Sequence, residues 1–258
     1  MCTTSENKIH NRSPESGPGW QEHFVDAERA STTKSVGDAI SLSFSYITIQ
    51  NFASFNECKV LVDSAVTLEV SSNETHVLGA TYNAHVNCTR FSVEHLLEEN
   101  AKHISTAFVN RLLRFLEGTG KDESHGNIPA ATTNLALKLF GKSNGLEAMK
   151  IKWYVEPDSE GRLHPEPKIN VYSAGGYFKQ HEDGMKLTVL VVLRDDFEGG
   201  GTAFFSEREE NKDDNLIPRS ICKPPLGTAI IWGSNLLHMA VPVISGKRAV
   251  YVGSFDLE

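Results

Sequence analysis

The sequence predicts an α+β chain, mainly β, in which helices come first and a sandwich- or barrel-like β module follows. Three observations predict it. Over residues 92–117 the apolar side chains Leu96, Leu97, Ile104, Phe108, Leu112, Leu113 and Leu116 recur at helical spacing. From Ile151 onward short runs rich in Val, Ile, Tyr and Phe take over: IKWYVEP, KINVYSA, KLTVLVVL, GTAFFSE, GTAIIWG, MAVPVIS and RAVYVGSF. Gly, Pro and Asp clusters separate these runs, the punctuation expected of an antiparallel sandwich or barrel.

Taken in order, residues 1–40 are rich in Ser, Thr, Asn, Glu and Gly and read as a mobile or loosely attached tail. Residues 41–50 (SLSFSYITIQ) alternate apolar and polar and predict a first strand. A helix follows, capped by Ser54 or Asn56, with Cys58, Val60, Leu61 and Val66 on its apolar face. Gly118 is a plausible stop for the 92–117 helix, residues 118–126 form a polar loop, and a further helix or two is expected over 130–150. The expected division is therefore a tail (1–40), a helical support with a first strand (41–150) and the β module (151–258), with 41–258 as one folded unit.

Length and charge exclude several classes of function. At 258 residues the chain can bury a core without disulfides or a structural zinc. Its 33 acidic against 25 basic residues, net −8, give no electrostatic footprint for nucleic acid or anionic lipid. No apolar run approaches the roughly 20 residues a membrane span needs. The N-terminal stretch lacks the apolar centre of a signal peptide, so the expected location is the cytoplasm or the nucleus. Cys2, Cys58, Cys88 and Cys222 are scattered without a CxxC pair and read as free thiols in a reducing compartment. The Asn-x-Ser/Thr sequons at Asn11, Asn73 and Asn87 then count as chance matches.

The chemistry-bearing stretch is YSAGGYFKQHEDG. His181 and Asp183 are two residues apart, so on a strand they share a face. An imidazole and a carboxylate on one face are two ligands for a divalent metal. His238, in SNLLHMAVPV on another predicted strand, is the candidate third. Two His and one carboxylate on one face of an octahedron leave three positions open. Taken alone, His-x-Asp is more often a surface turn than a metal site; its neighbourhood changes that reading. Lys247 and Arg248 follow His238, and alternation turns only one of them inward, where a fixed cation would meet a carboxylate. EGGGTAFF places three glycines before a strand, suited to a bulge, a close backbone approach or a hairpin turn. KPPLGTAIIWG supplies a turn into an apolar strand just before His238.

In this order the motifs YITIQNF, ECKVLVDSA, TRFSVEHLLEENAKHI, YSAGGYFKQHEDG, FEGGGTAFF, PPLGTAIIW, LLHMAVPV and GKRAV, spanning about four-fifths of the chain, resemble the Fe(II)/2-oxoglutarate-dependent dioxygenases of the prolyl 4-hydroxylase-like family. The resemblance implies a double-stranded β-helix, or jelly roll, with an N-terminal helical support. His181, Asp183 and His238 would bind Fe(II) and form the catalytic centre. Arg248 would pair with the C5 carboxylate of 2-oxoglutarate, with Lys247 as the fallback, and Tyr172 and Thr188 would line the cosubstrate pocket. Where some relatives have a further tyrosine, this chain has Val192, so its cosubstrate contacts differ. The implied reaction is hydroxylation of an unactivated C–H, with O2 and 2-oxoglutarate converted to succinate and CO2 and ascorbate as reductant. Its substrate would be a prolyl residue or another amino-acid-like group, peptidyl or small-molecule. Retention of Asp183 argues against a halogenating relative.

Two other classes compete: a non-catalytic barrel that senses metal and 2-oxoglutarate, and a cupin-type enzyme, whose usual signature holds more histidines close together than this chain offers. Tyr177, Trp232 and Tyr251 are candidates for a substrate pocket or for plain β-core packing. The remaining histidines, His95 and His103 among them, have no matching partners. The loop over 206–215 (SEREENKDDN) carries five acids and two bases and reads first as a solvated excursion, second as a lid selecting a cationic substrate. The segment 156–167 borders the mouth or merely joins two strands.

Overall fold

The computed structural model describes residues 19–25, 45–71, 80–83, 86–96, 98–117, 150–157, 163–206, 217–233 and 235–258. The helices expected over 130–150, nearly all of the acidic loop, and the sequons at Asn11 and Asn73 lie outside the described residues. Two antiparallel sheets face each other as a jelly roll. The larger has nine strands: β1 (Trp20–Phe24), β2 (Ser45–Ile49), β14 (Ala229–Gly233), β10 (Leu187–Arg194), β17 (Arg248–Leu257), β8 (Lys168–Tyr172), β4 (Cys88–Ser92) and β3 (Ala80–Asn83) in spatial order, with β5 (Ile151–Trp153) added on β17. The smaller has four, β13 (Ser220–Cys222), β12 (Thr202–Phe204), β15 (His238–Ala240) and β9 (Phe178–His181). Two ribbons complete the strands: β6 (Val155–Pro157) with β7 (Leu163–Pro165), and β11 (Phe197–Gly199) with β16 (Val243–Gly246).

The central strands β10 and β14 are buried along almost their whole length, which is why they read as unbroken apolar runs rather than as alternation. One face of the large sheet is covered by α1 (Phe55–Ser71) and α2 (Glu99–Glu117). Ser54 and Glu57 form a reciprocal cap on α1: the Ser54 hydroxyl accepts the Glu57 N–H at 3.3 Å, and the Glu57 carboxylate accepts the Ser54 N–H at 2.8 Å. Arg111 of α2 then ties the two helices, donating to Glu57 at 2.6 Å and to the Phe52 carbonyl at 3.0 Å. Phe108, Leu112, Phe115 and Leu116 of α2 bury against Ile47, Val189, Val191, Tyr251 and Phe255 of the sheet. No helix among the described residues is long and apolar enough to cross a membrane.

Strand β1 corrects one expectation. Trp20–Phe24 falls in the stretch read as a loosely attached tail, yet it pairs residue by residue with β2, and Trp20 packs edge-on against Phe115 with ring centroids 6.0 Å apart. Its sequence, WQEHF, is too polar and too short to announce a strand. What holds it is the free edge of β2. Likewise β2 and β4, assigned to the helical support, pair directly with β14 and β8 of the β module, so the large sheet draws on both parts.

Candidate metal and cosubstrate site

The site lies between the two sheets, on the face of the large sheet opposite the helices. His238 of β15 and His181, the last residue of β9, stand directly opposite each other in the small sheet, so cross-strand register brings together residues far apart in sequence. Asp183 sits just past the end of β9, in the turn rather than on the strand. His181 Nε2 is 3.5 Å from Asp183 Oδ1, and His238 Nε2 is 3.5 Å from Asp183 Oδ2. All three ligand atoms fall within 4.8 Å of one another. Ligands bonded at about 2.1 Å and at right angles lie roughly 3 Å apart, so the spacing suits one divalent ion.

The protonation of the two rings fits as well. Each Nδ1 is 2.8 Å from a backbone carbonyl, that of Lys179 for His181 and of Leu236 for His238. A carbonyl only accepts, so both Nδ1 atoms carry the proton and both Nε2 lone pairs point at the site. Burial pushes the His238 pKa down to about 4, outweighing the nearby Asp183 charge, which keeps the ring neutral and ready to ligate. The Thr188 hydroxyl donates to Asp183 Oδ2 and aims that carboxylate. Thr188, expected beside the cosubstrate, lines the adjoining cavity and also holds Asp183, a candidate metal ligand.

A cavity of about 220 Å³ opens from this cluster. Arg248 lines it and is only 3% exposed. Its Nη2 donates to Thr202 Oγ1 at 3.0 Å, and its guanidinium lies 5.3 Å from the centre of the Tyr172 ring. Burial lowers its pKa, but a guanidinium stays charged at neutral pH. No carboxylate among the described residues pairs with it. A buried cation of this kind is costly unless a partner arrives. Tyr172 also lines the cavity, and burial pushes its hydroxyl pKa up to about 12, so it remains a donor. The glycine run before β12 makes this arrangement possible. Gly199, Gly200 and Gly201 all have positive φ, at 68°, 63° and 111°, and a Cβ on Gly200 would meet the Phe197 ring at 2.5 Å. That turn delivers Thr202 to Arg248.

The other expected residues divide. Trp232 lines the cavity, its ring 4.9 Å from that of His238, with a buried Nε1 that has no partner among the described residues. Tyr251 takes the core-packing reading and not the substrate-pocket one: it faces the helices, where its hydroxyl meets Ser105 at 2.9 Å and its ring packs edge-on against Phe108. Arg248 points inward from the same strand, and an odd step of three turns Tyr251 to the opposite face. Tyr177 is half-buried against the core around Tyr172 and Val86 and does not line the cavity. Lys247 is exposed in the turn before β17 and stands outside the cavity, so the fallback is set aside. Cys58, Cys88 and Cys222 are buried free thiols.

Arg90, Glu166, Asn170, Thr202 and Ser254 line the cavity and were not singled out from the sequence. Part of the signal was there. Two-residue steps from Arg248 reach Val250, Val252 and Ser254, and one step back from Tyr172 reaches Asn170. Arg90 and Glu166 needed the sheet order, which brings β4 beside β8 and Glu166 to β17.

No protein-family model and no curated protein matches the chain. Solved structures do. A prolyl-4-hydroxylase from Pseudomonas putida aligns with a TM-score of 0.50 at 12% identity, over 81% of this chain and 91% of that one. A prolyl hydroxylase from Trichoplax adhaerens, in complex with a hypoxia inducible factor oxygen degradation domain peptide fragment, gives 0.48 at 13%, over 90% and 94%. A 2OG-Fe(II) oxygenase family oxidoreductase from Burkholderia pseudomallei gives 0.40 at 14%, over 89% and 88%. The first of these shows the fold: this chain is a jelly roll similar to that of the Pseudomonas putida enzyme.

Proposed function

We propose that the protein is an Fe(II)/2-oxoglutarate-dependent dioxygenase that hydroxylates an unactivated C–H of a prolyl residue or another amino-acid-like substrate. The observation that carries this is one cavity holding both a two-His, one-Asp donor set and a buried guanidinium that has no carboxylate partner among the described residues. The donor set would hold Fe(II), which supplies redox chemistry for coupling O2 reduction to oxidative decarboxylation of 2-oxoglutarate, giving succinate, CO2 and an alcohol. Arg248 would clamp the far carboxylate of 2-oxoglutarate, with Thr202 fixing the guanidinium and the Tyr172 hydroxyl alongside. Thr188 holds Asp183 in its ligating orientation. Trp232, Leu190 and Val250 form an apolar wall that limits water near the reacting atoms.

The test is succinate release by purified protein supplied with Fe(II), 2-oxoglutarate and ascorbate, across proline-containing peptides and free amino acids. Turnover should rise when a true substrate is added and vanish in His181→Ala. A barrel that only senses its ligands would bind metal and 2-oxoglutarate yet release no succinate with any substrate. Wild-type protein that binds no iron would overturn the site itself.

A further inference from the structure

The cavity has two electrostatically different ends, and the sheet register measures the distance between them. On β17 Arg248 and Ser254 are six residues apart, and on the neighbouring chain Tyr172, opposite Arg248, lies six residues from Glu166, whose carboxylate accepts the Ser254 N–H. Both paths span about 20 Å. The metal-binding set sits toward the Ser254 end, because Thr188, which holds Asp183, is the cross-strand partner of Ser254. Under the oxygenase reading, on which this inference rests, 2-oxoglutarate occupies the Arg248 side and leaves the Ser254 side to the substrate.

That side presents acceptors. Glu166 offers its carboxylate and exposed Glu182 stands at the rim. Ser254, 4% exposed, is one of the lining residues, and its enclosed hydroxyl has no hydrogen-bond partner among the described residues. The Tyr154 ring packs over Gly184 at the mouth, 3.4 Å from where a Cβ would stand. Arg90 also borders the cavity, but it is the register partner of Asn170, four residues along from Glu166, and its guanidinium lies over the Phe178 ring at 4.7 Å. Lys168 and Arg90 both act on Glu166, yet burial outweighs them and pushes its carboxyl up to about 7. A cation bound beside it would stabilise the ionised carboxylate.

We infer that Glu166, with the Ser254 hydroxyl and the Tyr154 face, forms a subsite for a cationic amine on the substrate, so that the hydroxylated molecule carries an ammonium group. An ammonium donates three hydrogen bonds and sits well on an aromatic face, matching a carboxylate, a hydroxyl and a tyrosine ring.

The probes are n-butylammonium, n-butanol and butyrate, three molecules of similar length and different charge. Each is titrated by chemical-shift changes into protein holding diamagnetic Zn(II) and saturating 2-oxoglutarate, whose own binding is measured first. The wild type should bind n-butylammonium at least ten times more tightly than the other two. Glu166→Gln, which still accepts the Ser254 N–H, should bring n-butylammonium within about twofold of n-butanol. Ser254→Ala should weaken n-butylammonium at least threefold and leave n-butanol unchanged, and it serves as the deciding variant if Glu166→Gln does not fold. Equal binding of the three probes, a preference for butyrate, or variants that keep the wild-type preference would overturn the subsite. Failure of 2-oxoglutarate to bind would instead overturn the oxygenase reading, and the amine preference is read separately from it.

Discussion

Strand β17 shows both faces of the large sheet within ten residues. Ala249, Tyr251 and Phe255 turn to the helices, where the one polar group among them, the Tyr251 hydroxyl, is satisfied by Ser105. Arg248, Val250, Val252 and Ser254 turn to the cavity, where among the described residues a guanidinium lacks a carboxylate and a hydroxyl lacks any partner. Residues one step apart on the same backbone therefore do opposite work. The helix face stabilises the fold; the cavity face carries groups whose full value appears only when something binds. Substitutions should separate the two: on the helix face stability falls and function holds, whereas on the cavity face function falls and stability holds or rises.

The largest effect is expected in the metal set. His181→Ala should lose bound iron and all 2-oxoglutarate-dependent succinate release, measured by metal content and product analysis, while the melting temperature of metal-free protein changes little. On the helix face, Phe108→Ala removes a ring packed between Phe52 and Tyr251 and should cost about 3–5 kcal/mol by chemical denaturation. The kcat of whatever fraction stays folded should be nearly unchanged.

Arg248→Met sharpens the contrast because its two effects have opposite signs. Loss of the cation should weaken 2-oxoglutarate binding by about 2–5 kcal/mol in calorimetry. Removal of a buried charge without a carboxylate partner should leave the free protein as stable as before, or more so. A variant that is both inactive and clearly destabilised would show that Arg248 holds the fold together.

Glu166→Gln tests the cavity face through pH. The folded carboxyl is raised to about 7 from an ordinary 4.5, chiefly by burial. A carboxyl raised on folding disfavours its charged form, so the penalty is absent below the unfolded value, grows as pH rises and is complete above the folded one. At roughly 1.4 kcal/mol per pH unit between the two values, the full penalty is about 3–4 kcal/mol. The Gln variant should therefore be more stable than wild type at pH 8, with little difference at pH 4.5, in denaturation curves at the two pH values. Smallest of all, Tyr251→Phe removes one hydrogen bond on the helix face and should cost about 1 kcal/mol without altering turnover.

How much of this was legible in the sequence follows from the same two faces. All seven apolar runs after Ile151 contain strands, because period-two patterning and turn residues are local signals. The amphipathic stripe of α2 was equally plain, although the helix begins only at Glu99, after a 3-10 turn over Val93–His95. His181, Asp183 and His238 were found as a set, and their convergence depends on a β9–β15 pairing that no spacing rule provides. Tyr251 had two readings in the sequence, and the odd step from Arg248 selects the core. Glu166 was missed because its part in the cavity comes from a contact with Ser254, 88 positions away. Strand β1 was missed because its pairing is supplied by β2 rather than by its own composition.

The jelly roll also divides its grip on ligands between layers. The metal ligands belong to the small sheet and its adjoining turn, whereas Arg248 belongs to the large one. A molecule chelated at the metal and clamped by Arg248 would therefore brace one layer against the other, as a tie-rod joins two walls. By mass action, such a ligand resists every opening motion that parts the sheets. Metal alone loads one wall and 2-oxoglutarate alone the other; only the two together would close the span.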